Sequence, residues 1–244
     1  MFRGERVRAA ISLAAAAVLY CVGAAMAVAE DDDARLMMFS GRDLWRNGAF
    51  FFGGGIWAPG SFERDGFMVK ALYSAGYHRY NAGSLGGAEV EGAGWGIALM
   101  PGFRIKRGVA EIKIFAGPDF QSHRLWPEDP GSRLLGDSFG VRFAAELWAE
   151  PTTHTMIAAD ASLATIGASY AARLAGGYKL FDIVYAGPET QVYGADGYAQ
   201  FRFGGHITSL KTEAAEWSAA AGWAFDSDNR SGPYVRIGMM WKVY

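Results

Sequence analysis

The sequence predicts an all-β protein: a single antiparallel β-barrel of the outer-membrane type with about 12 strands, preceded by a cleavable signal peptide. Apolar and polar residues alternate with a period of two through segments of about 10–14 residues. A strand that crosses a bilayer needs roughly 9–11 residues, whereas strands of soluble proteins usually have five or six. Beyond the amino-terminal segment, no uninterrupted apolar run reaches the roughly 20 residues of a membrane helix. These observations favour a barrel with an apolar outer face and a polar inner face.

The first 29 residues have the pattern of a secretory signal peptide. Arg3, Arg6 and Arg8 precede an apolar stretch over residues 9–28, and an acidic run follows at 30–33. A signal anchor is the alternative, but the small residues at the end of the stretch favour cleavage. We therefore predict a signal peptide over 1–29 and one barrel domain over 30–244.

The composition excludes several classes of function. The only cysteine, Cys21, lies inside the predicted signal peptide, so the mature chain has no thiol for a disulfide, a metal site or a nucleophile. Removing residues 1–29 takes away three arginines and one glutamate, which leaves 20 basic and 24 acidic residues. No basic stripe is present, so we expect no nucleic-acid partner.

Six strands are predicted in the amino-terminal half of the domain. The clearest is the fifth, where Ile112 and Ile114 alternate with Glu111 and Lys113. The first is the weakest, so the alternative count is ten, the next lower even number, because bacterial barrels prefer even numbers of strands. The six ranges are 36–46, 48–57, 66–79, 89–103, 107–120 and 137–149.

Six more strands are predicted in the carboxy-terminal half. Residues 155–178 are rich in alanine, which would suit a helix, but their period of two and the turn at 165–167 favour a hairpin. Alternation is plain in the tenth strand, where Phe201 and Phe203 stand opposite Gln200 and Arg202. The six ranges are 153–164, 168–180, 183–194, 197–209, 213–226 and 231–243.

Aromatic residues cluster near the ends of several predicted strands. In an outer-membrane barrel, aromatic side chains form girdles at the two membrane interfaces. We expect such girdles from a set that comprises Phe50, Phe51, Phe52, Trp57, Tyr77, Tyr80, Trp95, Trp223 and Trp241.

One hexapeptide occurs twice, as Ala-Gly-Pro-Asp-Phe-Gln at 116–121 and as Ala-Gly-Pro-Glu-Thr-Gln at 186–191. The copies lie on the fifth and ninth predicted strands, which run in the same direction. We therefore expect their polar residues near one rim of the lumen, namely Asp119, Gln121, Glu189 and Gln191. Proline cannot donate a ladder hydrogen bond, which predicts strand ends or bulges at both prolines. A long polar connection over 122–136 follows the first copy. If the amino terminus is periplasmic, that connection faces outward.

The polar faces of the strands predict the lining of the lumen. Two interpretations stay open: the mixed charges pair and plug the barrel, or they line a wet channel that hydrogen-bonds a neutral, polyhydroxylated solute. The candidate lumen and rim residues are Asp119, Gln121, Glu189, Gln191, Arg142, Glu146, Gln200, Arg202, His206 and Arg236.

No pattern in the sequence predicts catalysis, a cofactor or a metal site. The four histidines stand outside any metal-binding spacing. Ser122 and His123 are neighbours on a predicted strand, so their side chains point to opposite faces and should not form a local catalytic pair. We predict that the protein is not an enzyme, with a lipid- or glycan-modifying barrel as an alternative.

The motifs together resemble one family. The matching segments are Phe39–Phe50, Ala116–Asp119, His123–Leu125, Asp129–Gly131, Ala186–Gln191 and Glu216–Ala219. With them the chain resembles the cellulose biosynthesis protein BcsS family of alphaproteobacteria over most of the mature sequence. The resemblance implies a Gram-negative outer-membrane protein that assists cellulose production or export, in contact with outer-membrane lipid.

The resemblance also implies partners, namely a β-glucan chain and subunits of the cellulose synthase or secretion complex. It carries over no catalytic residues. The alternative function is a general small-solute porin, which would use the same polar lumen without a link to cellulose.

Overall fold

In the computed structural model, residues 34–243 are described, and they form one closed barrel of twelve antiparallel strands. Each strand pairs with its neighbours in sequence, and the last pairs with the first. The strands are β1 (Leu36–Trp45), β2 (Gly48–Trp57), β3 (Gly66–Ala82), β4 (Ala88–Arg107), β5 (Ala110–Trp126), β6 (Gly136–Thr152), β7 (Thr155–Ala164), β8 (Ser169–Leu180), β9 (Val184–Ala195), β10 (Tyr198–Lys211), β11 (Glu216–Asp226) and β12 (Ser231–Val243). The predicted signal peptide lies outside the described residues.

The count of twelve strands is confirmed, including the weak first strand. β1 is paired along its whole length, with β2 on one side and β12 on the other. The alanine-rich region forms the predicted hairpin instead of a helix, and a short 3₁₀ turn at Ile166–Ala168 joins β7 to β8. Within residues 34–243, no helix is long and apolar enough to cross a membrane.

The polarity of the barrel is the reverse of that of a soluble protein. Large apolar side chains are exposed on the outer face of the strands, among them Leu99, Phe143, Leu174, Phe203 and Ile237. Alternate residues point inward, and there the buried set includes aspartate, glutamate, arginine and glutamine. An apolar band of this extent is stable only against lipid, so the outer face is a membrane-facing surface.

The girdle prediction is wrong for part of the aromatic set. Phe51 faces lipid, but Phe50 and Phe52 lie on the inner face, where each packs against an inward-facing glycine of a neighbouring strand. Tyr80 also points inward and stacks with His78. Successive residues of a strand point to opposite faces, so three consecutive phenylalanines cannot all contact lipid.

The end of the barrel that carries the β5–β6 connection is here called the loop end. β3, β4 and β5 have 17, 20 and 17 residues and continue beyond their predicted limits. The expected long connection is therefore shorter, since only residues 127–135 lie between β5 and β6.

The loop between β5 and β6, residues 127–135, is held by hydrogen bonds at two points. Asp129 accepts hydrogen bonds from the Tyr80 hydroxyl (2.8 Å) and the Ser84 hydroxyl, and Asp196 in the β9–β10 turn accepts one from Ser132 (2.9 Å). The hydrogen bond from Ser84, with that from Tyr80, lowers the pKa of Asp129. The loop thus reaches from the β3 side of the loop end to the β9–β10 turn.

The opposite end, where the described chain begins and ends, is here called the terminal end. The connection between β2 and β3 folds into it: Phe62 is buried among Met68, Met100 and other inward-facing apolar residues. Arg104 donates hydrogen bonds to the carbonyl oxygens of Arg64 (2.6 Å) and Ser61 (3.4 Å). The connection is held inside the barrel mouth by these contacts.

Ion pairs also join the β2–β3 connection to the end of β4. Lys106 Nζ lies 2.8 Å from Glu63 Oε2, and Arg107 pairs with Asp65. The hydrogen bond from Lys106 lowers the pKa of Glu63, and a hydrogen bond from the Lys106 backbone, with that from the Arg107 side chain, lowers the pKa of Asp65. Both carboxylates are therefore ionised and bound at neutral pH.

Candidate functional site: the barrel lumen

The two copies of the Ala-Gly-Pro segment have the same backbone arrangement. Pro118 and Pro188 lie within strands, at places where the ladder to the preceding strand is interrupted. Where strand ends or bulges were expected, the structure has interruptions inside the strands with the register kept on both sides, which meet the same need because proline has no N–H to donate. A side chain on Gly117 or Gly187 would overlap a backbone carbonyl of the preceding strand. Only glycine allows this close approach.

The residue after each proline is a buried inward-facing carboxylate. Gln121 Nε2 donates to Asp119 Oδ2 (2.8 Å), and Gln191 donates in the same way to Glu189. In both copies an arginine from an adjacent strand completes the site. The repeated sequence therefore builds one local motif twice, a carboxylate held by an amide two residues later and by a guanidinium.

The first copy is the centre of the Asp119 network on β5–β7. Arg142 Nη2 donates to Asp119 Oδ2 (2.9 Å), and Arg142 Nη1 donates to Ser162 Oγ (3.2 Å). His123 Nε2 lies 3.0 Å from Gln121 Oε1. A row of polar groups thus follows β5 toward the loop end.

The second copy is the centre of the Glu189 network. Arg173 Nε donates to Glu189 Oε2 (2.6 Å), and Arg173 Nη1 donates to Asp160 (2.8 Å). Arg236 on β12 also reaches Glu189 Oε2 (2.5 Å), although three strand positions separate β12 from β9. The Arg236 side chain therefore extends through the lumen and does not run along the wall.

The four residues of the repeat do not share a rim. Asp119 and Glu189 lie well inside their strands and are buried. Each has its own arginine partners, so the copies form two separate sites on the inner wall. For Asp119 and Gln121, the prediction ended the fifth strand at residue 120, whereas β5 continues to Trp126. Glu189 and Gln191 lie inside both the predicted ninth strand and β9.

A third site joins β1 to β10. Arg202 Nη1 donates to both carboxylate oxygens of Asp43 at 2.6 and 2.7 Å, and its Nε donates to Gln200 Oε1 (2.5 Å). The guanidinium lies 4.8 and 5.1 Å from the ring centroids of Tyr193 and Tyr234. The Arg202 side chain is only 3% exposed, so this ion pair is desolvated.

A fourth site, the Lys70 cluster, lies nearer the terminal end. Glu146 accepts a hydrogen bond from Lys70 and lies 3.7 Å from Lys113, which in turn lies 2.9 Å from Glu111. Arg104 contacts Glu111 of this cluster and also the β2–β3 connection, which folds into the barrel mouth. Lys70 and Glu146 lie on β3 and β6, again three strand positions apart.

The ten residues predicted for the lumen all lie on the inner face of their strands. They fall into these separate sites, and His206 stands apart with its Nε2 3.1 Å from the Gly176 carbonyl. Sequence reasoning missed Asp43 and Lys70, although their place in the alternation of β1 and β3 was a usable signal. It also missed Phe50, which was assigned to a girdle.

Both interpretations of the lumen have support in the geometry. The charges pair as the plug interpretation expects. The Asp160 side chain is nevertheless 47% exposed and the inward-facing Phe50 is 42% exposed, so solvent enters part of the lumen. In the described chain, no three histidine, cysteine, aspartate or glutamate residues are placed to hold a metal ion.

Comparison with known proteins identifies the family. A model described as cellulose biosynthesis protein BcsS matches residues 37–243. The chain belongs to the BcsS family. The BcsS match begins at the second residue of β1 and ends with the last residue of β12, so it covers all of the barrel except its first residue.

Several solved membrane barrels are similar in structure. A KdgM porin in complex with disordered oligogalacturonate has 11% identity and a TM-score of 0.49, with 85% of this chain and 99% of that chain covered. The translocator domain of the autotransporter NalP from Neisseria meningitidis has 12% identity and a TM-score of 0.46, with 97% of both chains covered. These similarities concern the fold alone, and no curated protein matches the chain.

Proposed function

We propose that this BcsS-family barrel resides in the outer membrane and assists the production and delivery of cellulose at the cell surface. The observation that carries the proposal is the family match over residues 37–243. The apolar outer face and the polar inner face support the membrane placement. The barrel acts as a passage for glucan or as a structural partner of the secretion complex.

The placement has a direct test. The protein should fractionate with outer membranes and, as a closed barrel, migrate differently in gel electrophoresis before and after heating. Its terminal end should face the periplasm, since the predicted signal peptide precedes β1. Recovery as a freely soluble periplasmic protein would overturn the placement.

The cellulose role is tested by deleting the gene. Extracellular cellulose should fall, while synthase activity in isolated membranes persists, because the barrel acts after polymerisation. Normal cellulose at the surface of the deletion strain would contradict the role. Co-purification with synthase or secretion subunits would separate the structural-partner role from the passage role.

A general small-solute porin is the second candidate, because the paired charges and solvent-exposed Asp160 would suit many polar solutes. Steady conductance in a planar bilayer that glucan oligomers do not change would favour this candidate. We propose a non-catalytic role in either case, supported by two contacts that differ from a hydrolase site: Ser162 is bonded to Arg142, and His123 to Gln121.

A further inference from the structure

Three aromatic rings form a row on the inner face of β2 and β3, here called the aromatic track. Phe50 and His78 have centroids 6.4 Å apart and planes 10° apart. His78 and Tyr80 follow at 5.9 Å and 25°. The ring planes are therefore close to parallel, and the row rises from Phe50 toward the loop end.

Glycines set the orientation of these rings. A Cβ atom on Gly76 would overlap the Phe50 ring, and one on Gly92 would overlap His78. Because no side chain stands beneath Phe50 and His78, these two rings lie flat against the barrel wall, and their opposite faces are turned to the lumen; Tyr80 packs beside Val90 at the end of the row. Phe50 is consequently 42% exposed on the inner side of the barrel.

Polar groups stand beside the track. His123 on β5 lies over Gly94, the next inward-facing residue of β4 after Gly92. His123, Gln121 and Asp119 then continue the row of the Asp119 network. The Asp119 carboxylate is paired with Arg142. The polar groups beside the aromatic track therefore form hydrogen bonds but carry little net charge.

An aromatic face beside a neutral polar row suits one class of ligand. A β-linked pyranose chain has apolar C–H faces that stack on aromatic rings and equatorial hydroxyl groups at its edges that exchange hydrogen bonds. We propose that the aromatic track binds a segment of neutral β-linked glucan in the lumen, together with the partly exposed members of the Asp119 network, His123, Arg142 and Ser162. This inference rests on the proposed function and names its contact surface.

The test uses the full mature barrel refolded in detergent micelles, with cellohexaose as the probe and equilibrium binding as the readout. Wild-type protein should bind cellohexaose more tightly than α-linked maltohexaose or oligogalacturonate. Phe50→Ala should weaken cellohexaose binding about three- to tenfold, the size of one aromatic contact. The matched control is Phe51→Ala, on the lipid face of the same strand, which should bind as wild type does.

Gly76→Ala tests whether the Phe50 ring must lie flat on the barrel wall, because the added methyl group would push the ring away from the wall. It should weaken binding in the wild-type background but not in the Phe50→Ala background. Heat-dependent migration checks that each variant is folded, and Phe50→Leu replaces Phe50→Ala where the latter does not refold.

The proposal is overturned by absent cellohexaose binding, by tighter binding of oligogalacturonate, or by equal losses in the Phe50 and Phe51 variants. Its failure is distinguishable from failure of the cellulose role. If deletion lowers surface cellulose but Phe50→Ala binds as wild type does, the contact surface is wrong and the role stands. If deletion leaves cellulose normal while binding depends on Phe50, the role is wrong and the site stands.

Discussion

Removing the guanidinium of Arg202 should destabilise the barrel more than removing any exposed charge. Arg202→Met leaves the Asp43 carboxylate, with 10% of its side chain exposed, without the two hydrogen bonds at 2.6 and 2.7 Å. Breaking a buried pair from one side costs about 3–5 kcal/mol, because a desolvated charge is left behind. The free energy of unfolding should fall by that amount.

Urea unfolding of the barrel refolded in lipid measures the change. A loss of this size shifts the midpoint by about 1–2 M. The double variant Arg202→Met/Asp43→Leu should recover most of the loss, since replacing both members of a buried pair with apolar side chains is often neutral. The control is Arg107→Met, whose side chain is 73% exposed and which should cost less than about 1 kcal/mol. If Arg202→Met and Arg107→Met cost the same, or if the double variant is no better than the single, the reasoning is refuted.

Three further predictions concern the barrel ends and one close contact. Arg104→Ala removes the hydrogen bonds that hold the β2–β3 connection, so trypsin should cleave after Arg64 about tenfold faster; an unchanged rate would contradict the re-entrant fold. Asp129 has a lowered pKa, so its tether is fully formed above about pH 4 and is lost as pH falls further. Pepsin cleavage of the loop should therefore rise between about pH 4 and pH 2 more in wild type than in Asp129→Asn, and equal rises would refute the tether. Gly204→Ala should lower the free energy of unfolding by about 1–3 kcal/mol, because its Cβ would overlap a β11 carbonyl, whereas Gly205→Ala, with 3.6 Å of space, should be neutral in the same urea assay.

Twelve strands and the inward set of polar residues were predictable because both follow from local alternation. A period of two can be recognised from consecutive residues, and it does not depend on which strands pair with one another. The hairpin of β7 and β8 shows the strength of this signal, since its alanine content favoured a helix and alternation still gave the right answer.

The pairing of the inward charges was not predictable in the same way. Arg236 contacts Glu189, and Arg202 contacts Asp43, across three strand positions. Such contacts depend on the curvature of the closed barrel and on strand tilt, which no segment of the sequence encodes alone. The direction of Phe50 was predictable in principle, since its phase in β2 is fixed by its neighbours, but a run of three phenylalanines conceals that phase.

The repeated hexapeptide combines a local backbone feature with the placement of charges in the lumen. Its proline interrupts the ladder to the preceding strand, its glycine lets that strand approach, and its carboxylate and glutamine organise an arginine in the lumen. Backbone irregularity and charge placement are thus encoded within six residues and used on two strands of the same direction. Because every carboxylate so placed is matched by a guanidinium, the wall gains polar groups without gaining a strong field for ions. Under the proposed function, such a wall would favour neutral hydroxylated ligands over charged ones, as a passage for glucan requires.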